Sequence, residues 1–376
     1  KYKLLYLKHV VELVNFKKTK GKFMAITISV FNNKGGVGKT SIIWNLAVSL
    51  ADMKKNILLL DFDPQCNLSI ATIGNNEFSS LLATSLNYPY GKTIKAFALP
   101  YIQQNKIGTI HTTLAKENSK NGNLHILPGD FWLNSFSDIL NVGTDVIAGS
   151  GLYRFILPHL ITEEAEKINN IKYDYVLIDL PPSFNTLVRS SLYCSDYFLV
   201  PCTPDLFSSY CVGLIGEMLP LFIQDWEQGK ARYLRNNPTD SLINSLGKPK
   251  FGGWIFNNFD TRRHKGKKNM VAADAVHYDA IKDAIYNQLM TELNAIQTYL
   301  SVPSFINRES VVGIEDINVM ASDSLYQNIP LRYLSSVRPT GVLRGRGSWA
   351  QNQIDLMDEM TDEYDKLANY IVTKFI

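Results

Sequence analysis

Cysteine is scarce. Cys66, Cys194, Cys202 and Cys211 are the four in 376 residues, and no two stand as a C-x-x-C pair. That spacing argues against a zinc or iron–sulfur site and leaves buried free thiols in a reducing compartment as the expectation. No run of 18 apolar residues occurs, so no segment reads as a membrane span. Most of the chain also lacks a positive excess. Residues 1–23 hold seven Lys and one Glu, a net of +6, while the whole chain carries +3, so residues 24–376 carry −3. Basicity is therefore an N-terminal property, and a polyanion site elsewhere must be a patch assembled by folding.

In that first segment Leu4, Leu7, Val11 and Val14 form an apolar stripe among lysines. A membrane-surface helix is one reading; a loosely packed extension is the favoured one. Lys8, His9 and Glu12 interrupt the apolar run, which excludes a signal peptide. Met24 stands directly before the first strand pattern, so a natural start there is expected, with 1–23 as an extension. Hydrophobic content of 45% and charged content of 19% are those of a globular chain. We expect one domain over 24–376, with insertions near 74–122, 227–250 and 335–348.

The chain is organised around Lys34-Gly35-Gly36-Val37-Gly38-Lys39-Thr40. A β-branched run, Ile26–Val30, precedes it. Ile42, Ile43, Leu46, Ala47 and Leu50 follow at helical spacing. Strand, Gly-rich turn and helix give a phosphate loop its physical context: backbone N–H groups curl inward and the helix dipole adds positive potential. Lys39 would reach the β- and γ-phosphates, and the Thr40 hydroxyl would hold Mg²⁺. Further on, Asn56–Leu60 and Tyr173–Asp179 read as strands buried on both faces. The first delivers Asp61 and Asp63 to the sheet end where α/β folds bind ligands, and the second delivers Asp179. Buried carboxylates need a partner, and Mg²⁺ with a nucleophilic water supplies one.

Three strings in this order resemble the ParA/MinD superfamily of deviant Walker A ATPases, and ParA-type partition ATPases most of all. They are the phosphate loop with its extra lysine, Lys34; Asp61-Phe62-Asp63-Pro64-Gln65-Cys66-Asn67; and Asp179-Leu180-Pro181-Pro182-Ser183. The resemblance implies an α/β P-loop NTPase fold, a doubly wound and mostly parallel sheet flanked by helices. It implies that Gly35 to Ser41 cradle ATP. By the same match Lys34 crosses a homodimer to the partner's nucleotide, and Asp63 orients the attacking water. Asp61 then supports the Mg²⁺ side, joined by Asp179. Phe251–Arg262 looks like the strand whose end reads adenine through Asn257 or Asn258, though either could cap a helix instead.

The implied activity is slow, partner-stimulated hydrolysis of ATP. Its ATP-bound dimer would bind DNA non-specifically, with a ParB-like adaptor as partner and a cytoplasmic, nucleoid-associated location. Candidate phosphate contacts are the run Arg262, Arg263, Lys265, Lys267 and Lys268; then Arg308; then Arg332, Arg338, Arg344 and Arg346. A MinD-like positioning ATPase on a membrane surface is the alternative. The acidic face of the last helix (Asp355, Asp358, Glu359, Asp362, Glu363 and Asp365) counts against it. The cysteine pattern counts against an iron–sulfur relative, and tyrosines spread along the chain count against a tyrosine kinase.

Overall fold

The structure, a computed structural model, describes residues 24–104, 106–116, 123–141, 145–264, 267–297, 299, 309–340 and 347–375. The reading of residues 1–23 lies outside them. The strands are β1 Ile26–Val30, β2 Ile57–Asp61, β3 Thr113–Leu114, β4 Leu124–Leu127, β5 Tyr175–Asp179, β6 Tyr197–Cys202, β7 Lys250–Phe259, β8 Thr261–His264, β9 Lys267–Met270 and β10 Val312–Glu315. Eight of them form one sheet in the order β10-β7-β6-β1-β5-β2-β4-β3. Every neighbouring pair in it is parallel except β3 with β4. β8 and β9 make a separate antiparallel hairpin. The helices used below are α1 Lys39–Asp52, α2 Asn67–Ile73, α3 Leu206–Asn236, α4 Ala272–Ala284 and α5 Gln351–Lys374.

The apolar strand runs are buried because both faces of the sheet are covered. Successive side chains point to opposite faces, so Leu58 and Leu60 join one core while Ile57 and Leu59 join the other. The first core takes Val212, Ile215 and Trp226 of α3. The second takes Ile42 and Leu46 of α1 with Leu367 and Ile371 of α5. Each fully buried side chain of this size contributes about 1.5–3 kcal/mol. This is the doubly wound α/β sheet that was expected. From β1 the chain crosses to β2, returns to β5 beside β1, then continues to β6 on the other side. Ligands of open α/β sheets bind where the order reverses in this way, at the carboxyl ends of the strands.

One segment differs from expectation. α3 runs on to Asn236, so residues 227–250, expected as an insertion, begin within a helix and are partly packed into the core. Trp226 is fully buried, its Nε1 donates to the Leu246 carbonyl at 2.9 Å, and its ring lies 4.5 Å from that of Tyr193. Gly247 packs so tightly on that ring that a Cβ there would fall 1.9 Å from it. Asp240 caps the next short helix through Ile243 N, and Leu242 and Ile243 are buried. Polar residues on the outer face of one amphipathic stretch had the composition of a loop. α4 passes directly into a π-helical stretch, Ile285–Met290. By length and composition α3 is apolar enough to cross a membrane, but half of its most apolar window is buried inside the fold.

Candidate nucleotide site

The phosphate loop joins β1 to α1 at the carboxyl end of the sheet. Gly36 and Gly38 have φ of 74° and 82°, which an L side chain adopts only with strain. Gly38 is the N-cap of α1, with no side chain capping it, so the first N–H groups of the helix face the loop. Gly35 and Gly36 are exposed, whereas Val37 and Lys39 are buried. The Lys39 Nζ donates to the main-chain oxygens of Asn32 and Lys34, both at 3.1 Å. Burial holds its pKa below the ordinary lysine value, against the opposing pull of Asp179 and Asp63. Ser41 lies in the first turn of α1, and its carbonyl accepts from Asn45 Nδ2 at 2.9 Å.

Strand order brings the carboxylates together. Asp61 and Asp179 are register partners at the ends of β2 and β5, and both are fully buried. Thr40 Oγ1 donates to Asp179 Oδ2 at 2.7 Å, while Asp179 Oδ1 has no hydrogen-bond partner among the described residues. Asp61 Oδ2 accepts from Ser69 N at 2.8 Å and Ser69 Oγ at 2.6 Å. Burial, then the repulsion of Asp179, pushes Asp61 up to about 8. Burial likewise pushes Asp179 up to about 7. Asp63 sits just beyond, 7% exposed, its Oδ1 accepting from Gln65 N at 2.9 Å.

An orphaned buried carboxylate oxygen beside a second carboxylate and a hydroxyl fits a hard cation. No cluster of three or more His, Cys, Asp or Glu suited to a metal occurs among the described residues. A hydroxyl and one or two carboxylates are the protein groups that Mg²⁺ takes, phosphate and water oxygens completing its shell. Thr40 and Asp179, with Asp61 behind them, are the residues that would hold it.

The two asparagines at the end of β7 part ways. Asn257 is buried, and its Nδ2 donates to the Val37 carbonyl at 3.0 Å, bracing the phosphate loop from the neighbouring element. Asn258 is left-handed (φ 60°) and exposed at a register shift against β10. Lys34, expected to cross to a partner's nucleotide, is engaged within its own subunit. Its Nζ donates to Thr203 Oγ1 at 2.7 Å and Ser208 Oγ at 3.3 Å and pairs with Asp205. These acceptors lie some 170 residues along the chain, so only the fold reveals them, although Asp205-Leu206-Phe207-Ser208 carried a legible helix-cap pattern.

A family model described as an AAA domain (AAA_31) matches residues 25–228, which include all three nucleotide motifs. The chain belongs to this AAA family. Within it, the chain is a P-loop ATPase of the ParA/MinD type. It is 31% identical over 183 residues to an uncharacterized protein of Methanocaldococcus jannaschii, covering 49% of this chain and 61% of that one. It is 31% identical over 199 residues to a ParA family protein of Chlamydia trachomatis, covering 53% of this chain and 65% of that one. The chain thus spans somewhat under two thirds of these relatives. Its fold is similar to that of a Corynebacterium diphtheriae protein, DIP2308, with a TM-score of 0.62 at 19% identity, over 81% of this chain and 97% of that one.

In this AAA chain the expected basic residues do not form one free patch. Lys268 pairs with Glu315 and with Glu359 of α5, because the β8–β9 hairpin folds back toward the terminal helix. Arg332 pairs with Asp52 and Asp365. Both lysine and arginine were offered as phosphate contacts, and both are neutralised within the chain. Arg262 and Arg338 are exposed and carry no ion pair among the described residues. Lys265, Arg308, Arg344 and Arg346 lie outside the described residues, as do the side chains of Arg263 and Lys267.

Proposed function

We propose that this chain is an ATP-driven switch of the ParA kind. It binds ATP with Mg²⁺, pairs with a second copy across its phosphate-loop face and hydrolyses ATP slowly. The ATP-bound dimer binds DNA non-specifically during plasmid or chromosome partition, and a ParB-like adaptor stimulates turnover. One observation carries the proposal. Lys34 belongs to the phosphate loop yet extends away from it to the first turn of α3, where Leu206, Phe207 and Tyr210 are 74%, 56% and 60% exposed. A cation beside an uncovered apolar turn suits a face that meets another copy.

Little covalent chemistry is asked of such a site. Main-chain N–H groups and Lys39 bind the phosphates, Asp63 orients the water, and Asn257 keeps the loop in shape. Bound Mg²⁺ would neutralise charge on the phosphate oxygens. Arg262 and Arg338 remain as DNA contacts, and the ParA name of the Chlamydia relative supports the partition reading. Retardation of random-sequence duplex DNA by the ATP-loaded chain, weakening steeply with salt, is the expected result. Co-sedimentation with anionic liposomes and no DNA shift would favour the membrane-surface alternative and overturn this one.

A further inference from the structure

We infer that Asp205 is a positioning residue that decides when Lys34 becomes available, by holding the lysine inside its own subunit. The inference rests on the proposal that Lys34 acts on a second copy's nucleotide. An ammonium has three donors, and Lys34 spends them on Thr203, Ser208 and Asp205. The side chain is only 17% exposed as a result. Held in this way, the lysine has no donor left to offer to a phosphate.

The two oxygens of Asp205 do different work. Oδ1 accepts from Ser208 N at 3.0 Å and caps α3. Oδ2 takes Lys34 and also accepts from Thr203 Oγ1 at 2.7 Å. Burial alone would raise the Asp205 pKa, but the donors from Lys34 and Thr203 outweigh it and keep the carboxyl below its ordinary value. The hold also connects to the phosphate loop. The carbonyl of Lys34 accepts from Lys39, so a phosphate that draws Lys39 away loosens the backbone carrying Lys34. The apolar residues next to Asp205 place the latch at the edge a second copy would approach. ATP in its own site and a partner at α3 would then act together to free the lysine.

Asp205→Asn separates the two roles, since asparagine caps a helix as well as aspartate does. Thr203→Val removes a second acceptor and leaves the cap intact. The nucleotide-free protein is treated with an N-hydroxysuccinimide acetate, and Lys34 acetylation is followed by peptide mass spectrometry relative to exposed Lys366. Loss of a half-exposed ion pair should speed Lys34 labelling about fivefold in Asp205→Asn, with a smaller rise in Thr203→Val. In sedimentation velocity with ATP, Asp205→Asn should dimerise at lower protein concentration. Equal labelling in all three proteins overturns the inference. Faster labelling with unchanged dimerisation upholds the hold on Lys34 and refutes instead the reading that Lys34 acts across a dimer.

Discussion

Gly38→Ala is the sharpest probe of how the phosphate loop is held. The residue has φ of 82°, and a Cβ there would fall 2.3 Å from Asn257 Nδ2. An L residue in the left-handed region costs about 1–2 kcal/mol. The contact cannot be relieved without moving Asn257, which is buried and bonded to the Val37 carbonyl. Losing that hydrogen bond with its partners still buried costs about 1–3 kcal/mol. The single substitution should therefore destabilise the nucleotide-free chain by about 2–5 kcal/mol and abolish measurable ATP binding. In an Asn257→Ala background the obstruction is gone, so Gly38→Ala should there cost only the backbone term, about 1–2 kcal/mol. Urea unfolding of the four proteins gives the cycle, and isothermal titration with a non-hydrolysable ATP analogue gives the binding. An equal cost of Gly38→Ala in both backgrounds would refute the bracing role of Asn257.

The other predictions follow from the same geometry. Asp61 and Asp179 bind protons more tightly when folded than when unfolded, so without Mg²⁺ the folded state loses stability as pH rises from the ordinary carboxylate value of 3.8 toward about 8. Each group contributes at most about 1.4 kcal/mol per pH unit to that slope; thermal unfolding at pH 5 to 8 should show a shallower slope in Asp61→Asn, and an unchanged slope would count against the buried pair. Trp226→Ala should cost about 3–5 kcal/mol, read from the urea midpoint, whereas a cost below about 0.5 kcal/mol would mean that residues 227–250 are the exposed insertion the composition suggested. Asp63→Ala should keep ATP affinity within a few-fold while phosphate release falls by about 100-fold or more. Equal losses of binding and turnover would move Asp63 from catalysis to binding.

Much of the nucleotide site was legible because its parts are local in sequence. A Gly-rich turn between a β-branched run and a helical stripe signals a phosphate loop whatever surrounds it. Asp61 and Asp179 were each visible at the end of an apolar run. Their adjacency was not, because it depends on β5 inserting between β1 and β2, and strand order is set by packing over the whole sheet. The partners of charged side chains were less legible still. Lys268 meets Glu359 across 91 residues, and Lys34 meets Asp205 across 171. A basic run looks the same in sequence whether solvent, DNA or an acidic helix neutralises it. The last turns of α3 were hidden for a related reason: past Gln224 only Trp226 and Gly229 are buried, and a polar local composition averages them away.

The central claim is that the site built from Lys39, Asp61, Asp63 and Asp179 turns over ATP. Steady-state release of phosphate from Mg²⁺-ATP by the purified chain, beside Lys39→Ala, tests it most directly. The account predicts slow release by the wild type, on the order of one turnover per minute or less, as in P-loop nucleotide switches without a stimulating partner, and release at the buffer background in the variant. Identical release from both proteins, or none from the wild type at any Mg²⁺-ATP concentration, would contradict it.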